Sequence, residues 1–184
     1  LNSFFISLLN KSLTFPSKKQ KMNSIDFYNP KEHMGEFSNY FKSPINIDGK
    51  YYETVEHYFQ SQKFPNTDYS EIIRTQNTPN KAKILASQKR GGGYKWRTDL
   101  NSIIDSHKHL VLREDWEEVK DSIMFRGLQA KFKTKEFKNI LQATGDKEIR
   151  EVSPRDYYWG TGKNGTGLNK LGKLLMKLRN ELVE

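Results

Sequence analysis

Residues 41–64 read FKSPINIDGKYYETVEHYFQSQKF, and the change of periodicity inside this stretch decides the fold class. Phe41–Ile47 and Tyr51-Tyr52 flank Asp48-Gly49-Lys50. Asp-Gly supplies the positive φ of a tight hairpin turn, so the first half predicts strand, turn, strand. Thr54 then reads as a helix N-cap, with the helix running to about Phe64, before Pro65. A hairpin feeding directly into a helix points to a mixed α+β domain.

The flanking sequence extends the pattern with more helix than strand. Thr78-Pro79 is a cap followed by proline at the first helical position, and that helix should stop near Gly91-Gly92-Gly93. The longest helix is predicted from about Asp115 to Thr134, with Trp116, Val119, Ile123 and Ala130 at helical spacing as its buried stripe. A short helix follows over about Lys135 to Gln142. Ile149–Val152 and Tyr157–Trp159 read as strands. A last helix runs from about Asn169 to Leu182, with Leu171, Leu174, Leu175 and Leu178 facing inward. No internal repeat or linker divides the chain. The reading is one compact, mainly helical α+β domain with a small sheet and hairpin, over residues 22–184.

Residues 1–21 differ from the rest, with a short apolar stretch at Phe4–Leu9 and a basic cluster at Lys18-Lys19-Gln20-Lys21. They are expected to be a disordered or non-native extension. The formal charge of the 184-residue chain is +9, but without residues 1–21 it is 27 bases against 22 acids, or +5. That surplus suits a phosphate-bearing ligand and equally an ordinary surface. Cysteine is absent, which excludes disulfides, a thiolate zinc site and a cysteine nucleophile. Hydrophobic residues are 35% and aromatics 12%, sufficient for a core despite a mean hydropathy of −0.84. No apolar stretch approaches the roughly 18 residues of a membrane span, so a cytoplasmic protein with no membrane partner is expected.

Chemistry concentrates on the helix after the hairpin. Projected at 100° per residue, Gln60 falls about 40° and Lys63 about 20° from Glu56, a single polar stripe. Val55, Tyr58 and Phe59 lie on another side, toward the core. The stripe is read either as the solvated face of an amphipathic helix or as a catalytic pair. A carboxyl group protonates a departing base or stabilises an oxocarbenium-like transition state, and a lysine amine with a lowered pKa attacks an anomeric carbon. With Cα atoms about 10.5 Å apart along the axis, Glu56 and Lys63 meet across a bound sugar more readily than each other. His107-x-His109 has metal spacing, but no neighbouring ligand set completes a site.

Seven segments in order carry a resemblance: Glu36-Phe37-Ser38-Asn39-Tyr40; Glu56-His57-Tyr58-Phe59-Gln60 with Lys63-Phe64; Arg113-Glu114-Asp115-Trp116; Lys131-Phe132; Ala143-Thr144-Gly145-Asp146; Ser153-Pro154-Arg155-Asp156-Tyr157-Tyr158-Trp159-Gly160; and Gly165-Thr166-Gly167-Leu168-Asn169-Lys170-Leu171-Gly172. Any one is weak, but the ordered set over about Ile25 to Glu184 resembles the NADAR (YbiA-like) family. The resemblance implies N-glycosidase activity with no metal or other cofactor. It implies two substrate classes: ADP-ribose on guanine bases of nucleic acid, and phosphoribosylamino-pyrimidine intermediates of riboflavin synthesis; of these, single-stranded DNA carrying the modified guanine would gain from the basic surplus. It carries over Glu56 and Lys63 as catalytic residues, with Asp156 and Trp159 in the pocket. Asp156 would hold ribose hydroxyls or orient water, and Trp159 would stack on a base.

Further substrate contacts are expected from Asn39, Tyr40 and Gln60. Others are expected from a glycine-rich loop before the last helix, where Gly160, Gly162 and Gly165 let the backbone approach a phosphate and Lys163, Asn169 and Lys170 add donors. The primary expectation is removal of ADP-ribose from guanine. The alternatives are hydrolysis of the riboflavin intermediates and a non-catalytic ADP-ribose-binding module, and the oligomeric state stays open.

Overall fold

The computed structural model describes residues 24–92 and 94–182; the proposed extension at residues 1–21 lies outside them. Strand β1 (Ser24–Phe27) leads through a short 3-10 turn (Gly35–Phe37) to the hairpin β2 (Ile45–Ile47) and β3 (Lys50–Tyr52). Seven α-helices are described: α1 (Val55–Ser61), α2 (Asp68–Arg74), α3 (Pro79–Ser87), α4 (Lys95–His107), α5 (Trp116–Lys131), α6 (Lys135–Gln142) and α7 (Lys170–Glu181). Strand β4 (Glu148–Glu151) lies between α6 and α7. The α+β reading with helix predominating holds.

Local chemistry explains the hairpin and the helix that follows it. Asp48 and Gly49 have φ of 52° and 74°, the paired left-handed conformation of the tight turn that closes the antiparallel β2–β3 ladder. Thr54 caps α1 by accepting from the His57 amide at 3.3 Å. Its hydroxyl also meets His57 Nδ1 at 2.9 Å, while Nε2 faces the Gln76 carbonyl at 3.0 Å, so the imidazole latches α1 to the turn before α3. Thr67 and Thr78 cap α2 and α3 in the same way.

The structure corrects three expectations. The β2 strand begins only at Ile45, because Pro44 has no amide to donate and the Phe41 amide turns back to the Ser38 carbonyl at 3.1 Å. Tyr157–Trp159 is not a strand. The Asp156 carboxylate accepts from the Tyr158 and Trp159 amides at 2.9 and 2.7 Å and folds the segment into a turn. Helices α2 and α4 also form where the residue pattern gave no helix; both are rich in polar side chains, so their apolar periodicity is thin.

Two cores result. The larger gathers β1, the hairpin, α1, α5 and α7 around Phe27, Phe37, Phe59, Leu128 and Leu175. The smaller joins α2, α3 and α4 around Phe64, Tyr69, Ile73, Leu85 and Ile104. β1 pairs in parallel with β4, with Asp26 opposite Arg150 in register and bound to it by two 2.7 Å contacts. Among the described residues no helix is long and apolar enough to cross a membrane.

Candidate active site

Helix α1 is buried on every side, so its polar stripe is not a solvated face. Val55, Tyr58 and Phe59 enter the larger core, while Glu56 and Gln60 turn into a cavity of about 290 Å³. Lys63 follows the helical C-cap Gln62, yet its side chain reaches the same cavity. The Lys63 carbonyl accepts from the Arg113 amide at 3.1 Å, and the amine lies 5.4 Å from the centre of the Trp116 ring.

Asn39, Tyr40, Asp156 and Trp159 line this cavity as well, so seven of the sequence-predicted residues converge. The Asn39 carbonyl accepts from the Glu56 amide at 3.1 Å, tying the 38–40 segment to the first turn of α1. Trp159 meets Phe59 edge-on at 5.4 Å and thus belongs to both core and pocket. Asn39 Oδ1 and Gln60 Oε1 are buried with no hydrogen-bond partner, two acceptors in the cavity wall.

Burial sets the electrostatics. It pushes the Glu56 carboxyl up, against the opposing pull of Lys83, the 2.8 Å hydrogen bond from Gln60 Nε2, and Lys63. Burial pulls the Lys63 amine down, which raises the share of neutral, nucleophilic amine; Glu56 opposes this and Lys83 assists. Burial also raises the Tyr40 phenol, with Glu56 adding to the effect.

Residues that were not expected in the site share the cavity, among them Glu151, Lys83 and Trp116. Glu151 ends β4, and its carboxyl is raised to about 8 by burial and by Asp156 and Glu56, with Lys83 opposing. A signal was present: strand alternation puts Glu151 on the same face as Ile149, which is fully buried. Lys83 comes from α3 in the smaller core, and nothing in its local sequence marks it. Trp116, read as an anchor of the long helix, is both that and a wall. A second cavity of about 520 Å³ adjoins the first, sharing Ser38, Tyr40, Lys83, Glu151 and Asp156 and adding Tyr28 and Arg155.

The glycine-rich loop lies elsewhere. Gly162, Lys163, Gly165 and Asn169 line a separate cavity of about 440 Å³ beside Arg150 and Lys173. Gly160 is packed against β4, where a Cβ would meet the Glu151 carbonyl oxygen at 2.8 Å. Asn169 Oδ1 accepts from the Glu151 amide at 3.0 Å, and Nδ2 donates to the Ile149 carbonyl at 2.9 Å. Lys170 binds Asp121 at 2.8 Å, and Tyr158 donates to the same carboxylate at 2.7 Å. The loop residues, Asn169 and Lys170 brace the strand and turn behind the site and do not line the cavity that holds Glu56, whereas Tyr158 does. His107 stacks on Tyr69 at 4.7 Å, His109 is exposed, and no group of three or more His, Asp or Glu side chains among the described residues could hold a metal ion.

Comparison with known proteins follows the same lines. Residues 26–183 match the NADAR domain. The N-glycosidase YbiA of Shigella boydii serotype 4 is 38% identical over 159 residues, 86% of this chain and 88% of that protein. The chloroplastic riboflavin biosynthesis protein PYRR of Zea mays is 32% identical over 173 residues, 88% of this chain but only 25% of that protein. The NMR structure of Escherichia coli YbiA is similar with a TM-score of 0.70 at 37% identity, covering 87% of this chain and 84% of that one.

Proposed function

The chain belongs to the NADAR family and is a hydrolase of N-glycosidic bonds, and from that premise we propose that it cleaves the bond between ribose C1′ and a base nitrogen, with ADP-ribose on guanine as the substrate. The observation that carries this reading is the two-lobed cleft. Its first lobe, around Glu56, offers carboxylates and the two unpartnered amide oxygens, the acceptors that ribose hydroxyls require. Its second lobe offers Lys83 and Arg155, donors suited to a phosphate-bearing tail. At about 290 and 520 Å³, the lobes together suit a ligand with a long tail beyond the ribose.

In the proposed reaction the neutral Lys63 amine attacks C1′ and the C–N bond breaks with its electron pair going to the base nitrogen, which takes up a proton. The resulting glycosylamine opens to an imine, and water adds to release the sugar and restore the amine. Glu56 acts as acid/base or as the negative charge that stabilises the oxocarbenium-like transition state. A protein that only held ADP-ribose would have no use for Glu56 and Lys63 in one pocket.

A second reading, hydrolysis of phosphoribosylamino-pyrimidine intermediates, is favoured by the first lobe alone, whose size suits a ribosyl monophosphate, and by the maize relative, a riboflavin biosynthesis protein. Incubation with guanine-ADP-ribosylated single-stranded DNA and, separately, with the pyrimidine intermediate, followed by mass analysis, separates the two. Free ADP-ribose is the expected product. Ribose phosphate alone selects the second reading, and release of neither removes both.

A further inference from the structure

Four carboxyl groups line the cleft; Glu117 is paired with Lys120, and a single N-glycosidic cleavage does not need the other three, Glu56, Asp156 and Glu151, all charged. Their surroundings differ. Glu56 receives a hydrogen bond from Gln60 and is drawn toward its charged form by Lys83 and Lys63. Asp156 spends one oxygen on the Tyr158 and Trp159 amides. Glu151 Oε2 is buried with no partner, which a charged carboxylate tolerates poorly and a neutral acid tolerates well. Of the two cations near Glu56, only Lys83 acts on Glu151, and its carboxylate neighbours oppose ionisation.

The backbone of Glu151 is fixed from several sides. β4 pairs it with Phe27, Asn169 Oδ1 accepts from its amide, and the Thr161 amide donates to its carbonyl at 2.8 Å. Gly160 leaves room for that approach. The glycine-rich segment therefore aims Glu151 at the point where the two cavities meet.

We propose that Glu151 is the general acid of the reaction, the neutral carboxyl that delivers its proton to the base nitrogen as the C1′–N bond breaks, leaving Glu56 charged to stabilise C1′. The electron pair of the broken bond goes to nitrogen, the Glu151 proton follows it, and the carboxylate recovers a proton from the water that hydrolyses the imine. Two acids in unlike environments divide into one donor and one charged stabiliser. The inference rests on the N-glycosidase reading. The groups facing Glu151 are Glu56 from α1, Lys83 from α3, Asp156 and Arg155 from the turn, and Tyr40 from the 38–40 segment. With a carboxyl titrating at about 8, the donor form is full below that pH and is lost above it.

The test compares the wild type with Glu151→Gln between pH 6 and 9 on whichever ribosyl substrate the wild type cleaves. The variant should lose roughly 10²–10⁴-fold in kcat with little change in KM, and its residual rate should lack the fall above about pH 8. Two measurements on the wild type stand even if the variant folds poorly. The infrared band of a protonated carboxyl should be present at pH 7, and a ribosyl pyridinium, whose nitrogen leaves without a proton, should be cleaved with no fall on the basic side. Unchanged kcat in Glu151→Gln, a missing carboxyl band, or the same basic fall for both leaving groups overturns the inference. Absence of turnover by the wild type, with the band present, instead overturns the N-glycosidase reading.

Discussion

Lys63 and Lys131 show how one residue type serves opposite ends. Lys63 is partly buried beside Trp116, where a lowered pKa supplies a nucleophile. Lys63→Ala should abolish base release while leaving the circular dichroism spectrum unchanged, and borohydride added during turnover should attach the sugar to the wild type and not to the variant. Full turnover by Lys63→Ala would remove the amine from the mechanism. Lys131 is sealed in the larger core, 1% exposed, donating to the Ser38 carbonyl at 2.9 Å and lying about 5.5 Å from the Phe41, Phe132 and Phe137 rings. Burial pulls its pKa down to about 7 from 10.5. A group depressed in this sense takes up its proton in the unfolded chain first, so its contribution to stability is full above about pH 10.5 and is lost as pH falls toward 7. Lys131→Met should therefore gain on the wild type by a few kcal/mol, at about 1.4 per unit, as pH drops across that window. Parallel denaturation curves at pH 7 and 10, with no change in the gap between the two proteins, would refute the assignment.

At the scale of elements, the hairpin and α1 were legible because each rests on local chemistry: Asp48-Gly49 sets the turn and Thr54 sets the cap. Thr54→Ala removes the cap and the hydroxyl partner of His57 together, and should cost about 1–2 kcal/mol. Because α1 carries Glu56, kcat should fall more than this modest cost implies. A fully active variant would mean that packing alone holds the helix. The place of the glycine-rich loop, in a cavity apart from Glu56, was hidden for the complementary reason. Its glycines and Asn169 read like a phosphate cradle, but their partners are Glu151 and Ile149 on β4, residues distant in sequence that only the parallel β1–β4 pairing brings into place. The Tyr157–Trp159 segment likewise has strand-forming composition, and one side-chain oxygen of Asp156 overrides it.

At the scale of the whole molecule, the cleft lies where the two cores meet. Glu56, Trp116 and Trp159 stand on elements of the larger core, whereas Lys83 stands on α3 in the smaller one, so the charge balance around Glu56 depends on how firmly the cores dock. Three devices hold them: the His57 latch to Gln76, the Arg113 amide on the Lys63 carbonyl, and the contacts of Lys50 with Glu71 and of Arg74 with the Tyr51 carbonyl. The partition was invisible in the sequence because α2 and α4, two of the three helices of the smaller core, have too few apolar residues to announce themselves. Leu85 is fully buried there, and its carbonyl accepts from Tyr69 at 2.7 Å. Leu85→Ala should cost about 2–5 kcal/mol, a large share of the roughly 5–15 kcal/mol that holds a domain. Hydrogen exchange should quicken across α2 to α4 while β4 and α5 keep their protection, and turnover should fall because Lys83 loses its fixed place beside Glu56. Equal loss of protection everywhere would mean the two cores unfold as one unit, and the dependence of the cleft on their docking would have to be abandoned.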